Sequence, residues 1–322
     1  MADGVLSLND RALVVADELA RRADELGASV RHVGLARIID VGVETVGSLD
    51  AGVLVARACL ADLASVRLGE TMVGDIALPS VIVSVPHPVA ACMASQYAGW
   101  QITEGKYFAM GSGPMRAAYG KEVLYDDIGF REKPTAIVGI LETVTLPDKA
   151  IVEKLVAACH VPERYVTLIA ARTASLAGGV QIAARSVETA LHKLHELKFD
   201  LKRIVGGFGS APVPPVAADD LRAIGRTNDA VLYGARISLY VTGDDETLAD
   251  VVQHLPSSAS ADHGRPFGEI FKRYDHDFYK IDPLLFSPAA VTLQNLDTGR
   301  VHHAGKVNHA VLTESFFGGA DA

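Results

Sequence analysis

Four polar residues with chemistry to offer fall at helical spacing within one stretch: Gln181, Arg185, Glu188 and His192. Beside them Val180, Ala184, Val187, Leu191 and Leu194 recur at intervals of four, three, four and three, an apolar stripe at the period of a helix. The polar row borders that stripe, where a carboxylate keeps contact with water while feeling a reduced dielectric. Arg185 and Glu188, three apart, can meet there. The same spacing also describes an ordinary ion pair at a helix rim, worth ~0.2 to 0.5 kcal/mol, and spacing alone leaves both readings open.

Other segments invite weaker readings. GSGPMRA at 111–117 and GGFGSAP at 206–212 are glycine-rich loops whose backbone N–H groups could cradle a phosphate or carboxylate. Neither has the lysine–hydroxyl pair or the glycine spacing of the nucleotide motifs, and plain turns are the alternative. Trp100, the single tryptophan, lies near Gln96 and Tyr97, types that suit a planar heterocycle or ordinary packing. Adjacent Asp275, His276 and Asp277 would alternate faces in a strand, His302-His303 likewise, and no HExxH pattern occurs. A metal set drawn from distant segments, His87 with Asp262 and His263, stays open. Ser175 and Ser210 sit in no GxSxG elbow.

These residues need elements to hold them. Leu13, Ala16, Ala20 and Ala23 predict a first helix that Asn9 or Asp10 can cap and Gly27 can close. Two short strands are expected within 29–46, a helix from Leu49 to about Val66, and strands at 81–85 and 136–141. A helix from about Asp148 to Cys159 precedes the strand YVTLIA and a long helix from near Gly179 past His195. RIVGGFGSAPVPP at 203–215 reads as a strand leaving into a glycine- and proline-rich loop. A further strand, ARISLYV, leads to a helix near 244–254. The irregular mixture is α+β. Polarity and Pro147 place a domain boundary near 143–150, giving domains 1–146 and 147–322, with the C-terminal segment free to return to the first.

At 322 residues the chain has room for two cores without staples, and 49% hydrophobic against 21% charged residues is a globular composition. Thirty basic against thirty-nine acidic side chains leave a formal charge of -9, with no basic block to track a phosphate backbone. Nucleic acid is therefore not an expected partner. The N-terminus, MADGVLSLND, has acidic residues where a signal peptide carries positive charge, and no stretch approaches the ~20 apolar residues of a membrane span. Cys59, Cys92 and Cys159 lie in apolar runs without CxxC spacing. They read as buried thiols of a cytoplasmic protein.

Several longer segments carry a resemblance: ASQYAGWQI, FAMGSGPMRA, ARTASLAGGVQIAARSVETALHKLH, GGFGSAPVPP, RTNDAVLYGA and FKRYDHDFYKIDPLLFSPA. In this order, from about residue 30 to the C-terminal Phe pair, the chain resembles the methenyltetrahydromethanopterin cyclohydrolases. The alanine-rich N-terminus matches least well.

The resemblance implies two mixed α/β-layer domains with a substrate cleft between them, and a homo-oligomer, a homotrimer in some members. It implies reversible hydrolysis of the N5,N10-methenyl bridge of tetrahydromethanopterin, or of its dephospho form, to the N5-formyl compound, without cofactor or metal. The family's active-site arginine and glutamate fall on Arg185 and Glu188. Its further glutamate falls on Glu142 in GILET. A carboxylate within reach of the attacking water can take its proton, the expected role of Glu188, with Arg185 tuning it. In this context Gln96, Trp100, Gly111, Ser112, Gly113, Arg116 and Gln181 are candidate substrate contacts, Arg116 as an anion partner for the substrate's tail.

Overall fold

The computed structural model describes residues 7–318; part of the acidic N-terminal segment, residues 1–6, lies outside them. In chain order the elements are α1 (Leu8–Arg21), β1 (Ser29–Val33), β2 (Ala36–Asp40), α2 (Leu49–Cys59), β3 (Ser65–Val73) and β4 (Ile76–Val85). A π-helical stretch, Val89–Gln96, leads to β5 (Trp100–Glu104), β6 (Tyr107–Ser112), α3 (Met115–Tyr119), α4 (Leu124–Ile128) and β7 (Ile137–Glu142). Then come α5 (Lys149–Cys159), β8 (Val166–Ala171), α6 (Leu176–Ala183), α7 (Ser186–Glu196), β9 (Ile204–Pro212) and α8 (Asp220–Leu232). The chain closes with β10 (Arg236–Val241), α9 (Asp245–His254), α10 (Phe267–Arg273), β11 (Ala290–Asn295), β12 (Val301–Gly305) and α11 (His309–Phe317). The fold is α+β, built on two mixed six-stranded sheets.

Two compact units form, and both are discontinuous in sequence: the chain up to Leu63 with Met93–Gly178, and Ala64–Cys92 with Gly179 onward. The boundary expected near 143–150 falls inside the first unit. There β7 and β8 pair in parallel, so the residues between them form the crossover that parallel neighbours require, and α5 fills it.

The first unit's sheet runs β1-β2-β8-β7-β6-β5. Its middle strands β2, β8 and β7 are parallel, and β7 and β8 are almost wholly buried, as strands covered on both faces must be. Alternation along β7 serves two cores. Val138 and Ile140 pack with α1 and α2, while Ile137 and Leu141 pack with α5 and Met115.

Helix α1 is capped two or three residues earlier than expected, with Ser7 accepting from the Asp10 N–H. Asn9 is instead buried, with Nδ2 donating to Glu132 and Pro114 O and Oδ1 accepting from Val138 N. Ala12, Val15, Ala16 and Leu19 form its buried row, with Leu13 and Ala20 at the margin. Helix α2 stops at Cys59 rather than near Val66, because Ala61 and Asp62 adopt positive φ and the chain turns into β3. All three cysteines are buried.

The second unit's sheet runs β12-β11-β10-β9-β4-β3. The glycine-rich segment expected as a loop is the nine-residue strand β9, paired on both sides by β4 and β10. Its glycines answer to packing. A Cβ on Gly207 would stand 2.8 Å from Val187 Cγ1 of α7, so the missing side chain lets the helix lie close on the strand. A separate apolar cluster joins Ala230 and Leu232 of α8, Phe267 and Phe271 of α10, and Leu312 and Phe316 of α11. Among the described residues no helix is long and apolar enough to cross a membrane.

Candidate active site

The long helix expected over 179–195 is two helices. Ala184 N still donates to Val180 O, but Arg185 N donates to Ile182 O at 3.0 Å, an i−3 bond that tightens the chain after α6. Arg185 takes φ −84° and ψ 5° and becomes the N-cap residue of α7. Glu188 thereby falls in the first turn of α7, where the helix dipole favours a negative charge.

The apolar stripe is as expected: Val180, Ala184, Val187, Leu191 and Leu194 are fully buried. The polar row lies deeper than a helix rim, with Gln181 at 2%, Arg185 at 8% and Glu188 at 4% exposure. Arg185 Nη2 donates to Gln181 Oε1 at 3.1 Å, and Arg185 Nη1 stands 4.0 Å from Glu188 Oε2. Gln181 thus holds the guanidinium from one side while the carboxylate lies at ion-pair range on the other. His192, the fourth member, has its pKa lowered by burial, which disfavours the charged ring.

In the first unit the candidate residues collect around the β5, β6 and β7 pairing. Trp100 sits opposite Gly111 across β5 and β6, and Glu142 sits opposite Met110 across β6 and β7. Ser95 O accepts from Gly113 N at 2.9 Å, which draws the Gln96 end of the π-helical stretch to the end of β6. Cys59 Sγ lies 3.5 Å from Ser112 Oγ and 3.8 Å from Gln96 O.

Segment 111–117 is buried throughout. With Gly113 N spent on Ser95, and with Arg116 N and Ala117 N donating to Gly113 O and Pro114 O, those N–H groups are not arranged as an anion cradle. GGFGSAP is no cradle either, because its N–H groups serve the sheet. Trp100 stacks on Tyr119 with centroids 4.1 Å apart and planes 6° from parallel, so one ring face is covered. Arg116 is fully buried, its guanidinium paired with Glu122 and held against the Tyr97 and Tyr125 rings.

Glu142 closes β7 at the carboxyl edge of the parallel strands, where open α/β sheets bind ligands. Two residues at that edge escaped the sequence reading. Asp40, at the end of β2, is buried and accepts the N–H groups of Gly42, Val43, Glu44 and Thr45, which shapes the following loop. Thr173, just beyond β8, donates its hydroxyl to Glu142 Oε1 at 2.5 Å. No linear spacing points to Thr173; only the pairing of β7 with β8 brings it to Glu142.

Among the described residues no three His, Cys, Asp or Glu side chains are grouped to hold a metal ion. The set of His87, Asp262 and His263 is thus not assembled. Asp262 instead pairs with Arg273 and accepts from Tyr274 Oη, and His263 Nδ1 lies 3.2 Å from Ser257 Oγ.

Residues 7–316 match the model of the cyclohydrolase (MCH) family. A methenyltetrahydromethanopterin cyclohydrolase of Rhodopirellula baltica is 46% identical over 87% of this chain and 86% of its own. One from Xanthobacter autotrophicus is 46% identical over 97% and 93%. One from Methanococcoides burtonii is 40% identical over 97% and 98%.

Proposed function

The chain belongs to the methenyltetrahydromethanopterin cyclohydrolase family, and from that membership we propose that it is a cyclic-amidine hydrolase that reversibly opens the 5,10-methenyl bridge of tetrahydromethanopterin to the 5-formyl compound. The substrate is an amidinium cation, so its bridging carbon is electrophilic from the outset and no cofactor enters the reading. Water adds its oxygen to that carbon and passes one proton to Glu188. When the adduct collapses, the carbon–N10 bond breaks, N10 takes a proton from Glu188, and the hydroxyl releases its proton to solvent as the formyl C=O forms. Atoms and charge balance: one water is consumed and one proton leaves with the substrate's positive charge.

The observation that supports this reading is the Gln181–Arg185–Glu188 chain, which runs from α6 to the first turn of α7. The carboxylate is nearly buried, a setting that by itself disfavours charge; the guanidinium at 4.0 Å and the helix N-terminus offset that penalty. In this reading Gln181 orients Arg185 and Glu142 is a substrate contact. Gln96, Trp100, Gly111, Ser112 and Gly113 are further substrate contacts in the same proposal, whereas Arg116, fully buried and paired with Glu122, is not available as an anion partner for the tail. A homotrimeric assembly belongs to the same proposal, and light scattering at three chain masses would support it.

Purified protein mixed with methenyl-tetrahydromethanopterin should abolish the methenyl absorbance, while the tetrahydrofolate analogue should react far more slowly. Turnover of the folate analogue alone would overturn the substrate. Tight pterin binding without decay would leave a binding protein in place of an enzyme.

A further inference from the structure

We propose that Thr173 is a positioning residue for Glu142. Register and burial carry it. Strands β7 and β8 are parallel, with Glu142 opposite Ala171, so the two residues after Ala171 continue along the same sheet edge as the Glu142 side chain. Thr173 is 7% exposed, and its hydroxyl donates to Glu142 Oε1.

The turn that presents Thr173 is held from both ends. Thr143 N donates to Ala171 O at 3.0 Å. Ser175 Oγ donates to Arg172 O at 2.7 Å and accepts from Gly178 N at 3.0 Å. A glutamate has three side-chain torsions, and a hydroxyl fixed by a rigid turn selects among them and sets the plane of the carboxylate. The loss of freedom then falls on folding rather than on substrate binding, which is the benefit of preorganisation.

The inference rests on the reading of Glu142 as a substrate contact. Thr173→Val keeps the shape and removes the donor, and Thr173→Ser keeps the donor. A hydrogen bond to a charged group is typically worth about tenfold or more in an equilibrium. Thr173→Val should therefore raise KM for the methenyl substrate about tenfold and change kcat far less. Thr173→Ser should stay within about threefold of wild type, and the melting temperatures of the three proteins should agree closely.

Glu142→Ala provides the reference. With Glu142 removed, Thr173→Val should have no further effect on KM. Effects that multiply in the double variant, or a Thr173→Val enzyme with wild-type KM while Glu142→Ala is impaired, would overturn the positioning role alone. Wild-type kinetics for Glu142→Ala would overturn the reading of Glu142 itself. A Thr173→Val protein that melts much lower, with Thr173→Ser equally impaired in KM, would make the residue a packing element and end the proposal.

Discussion

Gly209 of β9 lies directly under Ser186 of α7, so close that a Cβ on the glycine would stand 2.6 Å from the Ser186 hydroxyl oxygen. The same Cβ would meet Val187 Cγ2 and Ile237 Cγ2 at 2.9 Å each. Ser186 directly follows Arg185 and opens the helix that bears Glu188, so the depth at which α7 seats on the sheet governs where both side chains are held.

Gly209→Ala should accordingly cost about 1 to 3 kcal/mol through overpacking, read as a lower denaturant midpoint, and should lower kcat by displacing the start of α7. Gly206→Ala is the control, since its Cβ meets Tyr240 and Val85 only at 3.6 Å. It should fold and turn over like wild type. A Gly209→Ala protein of full stability would dismiss the close seating as a constraint.

Glu188→Gln preserves size and removes the proton acceptor. Steady-state kinetics should show kcat reduced by ~10² to 10⁴, the usual range for general-base catalysis, with KM little changed. Arg185→Gln should lose less, because the guanidinium acts through the carboxylate; a loss equal to that of Glu188→Gln would show that Arg185 also binds substrate. Near-normal kcat in Glu188→Gln would remove the glutamate from the mechanism.

Asp229, fully buried in α8, gives a pH signature unrelated to the chemistry. Burial, opposed by the hydrogen bond that Asp229 Oδ1 accepts from the Phe267 backbone N–H, pushes its carboxyl up to about 7 from an ordinary 3.8. A raised acid binds its proton more tightly when folded, so its contribution to stability is full below about 4 and is lost as pH rises through about 7, on the order of a few kcal/mol. Wild-type protein should therefore melt at a lower temperature at pH 8.5 than at pH 5.5. Asp229→Asn, which stays neutral, should show a flatter profile over that window. Parallel profiles for the two proteins would show that Asp229 is not the group responsible.

Much of the fold is legible from local pattern. The stripe at Val180, Ala184, Val187, Leu191 and Leu194 marks the buried face because side chains three and four apart share a side of a helix. The β-branched run at 136–141 marks a covered strand by composition and length. The Arg185–Glu188 spacing announces a pair. None of these reveals the break at Ala184 and Arg185, since Ala-Ala-Arg-Ser contains no helix breaker. Nor does the string GGFGSAP tell a turn from a strand, because glycine permits both.

By itself the sequence determined which residues are apolar at which period, which ionisable side chains lie one helical turn apart, and which family the motifs resemble. Tertiary structure decided that Glu188 starts a helix rather than continuing one, that the β9 glycines make room for α7, and that Thr173 reaches Glu142 across 31 residues of chain. The physical reason is range. Periodicity is a property of neighbours along the chain, whereas close approach of a helix to a strand, or of a hydroxyl to a carboxylate, depends on partners that only sheet pairing selects.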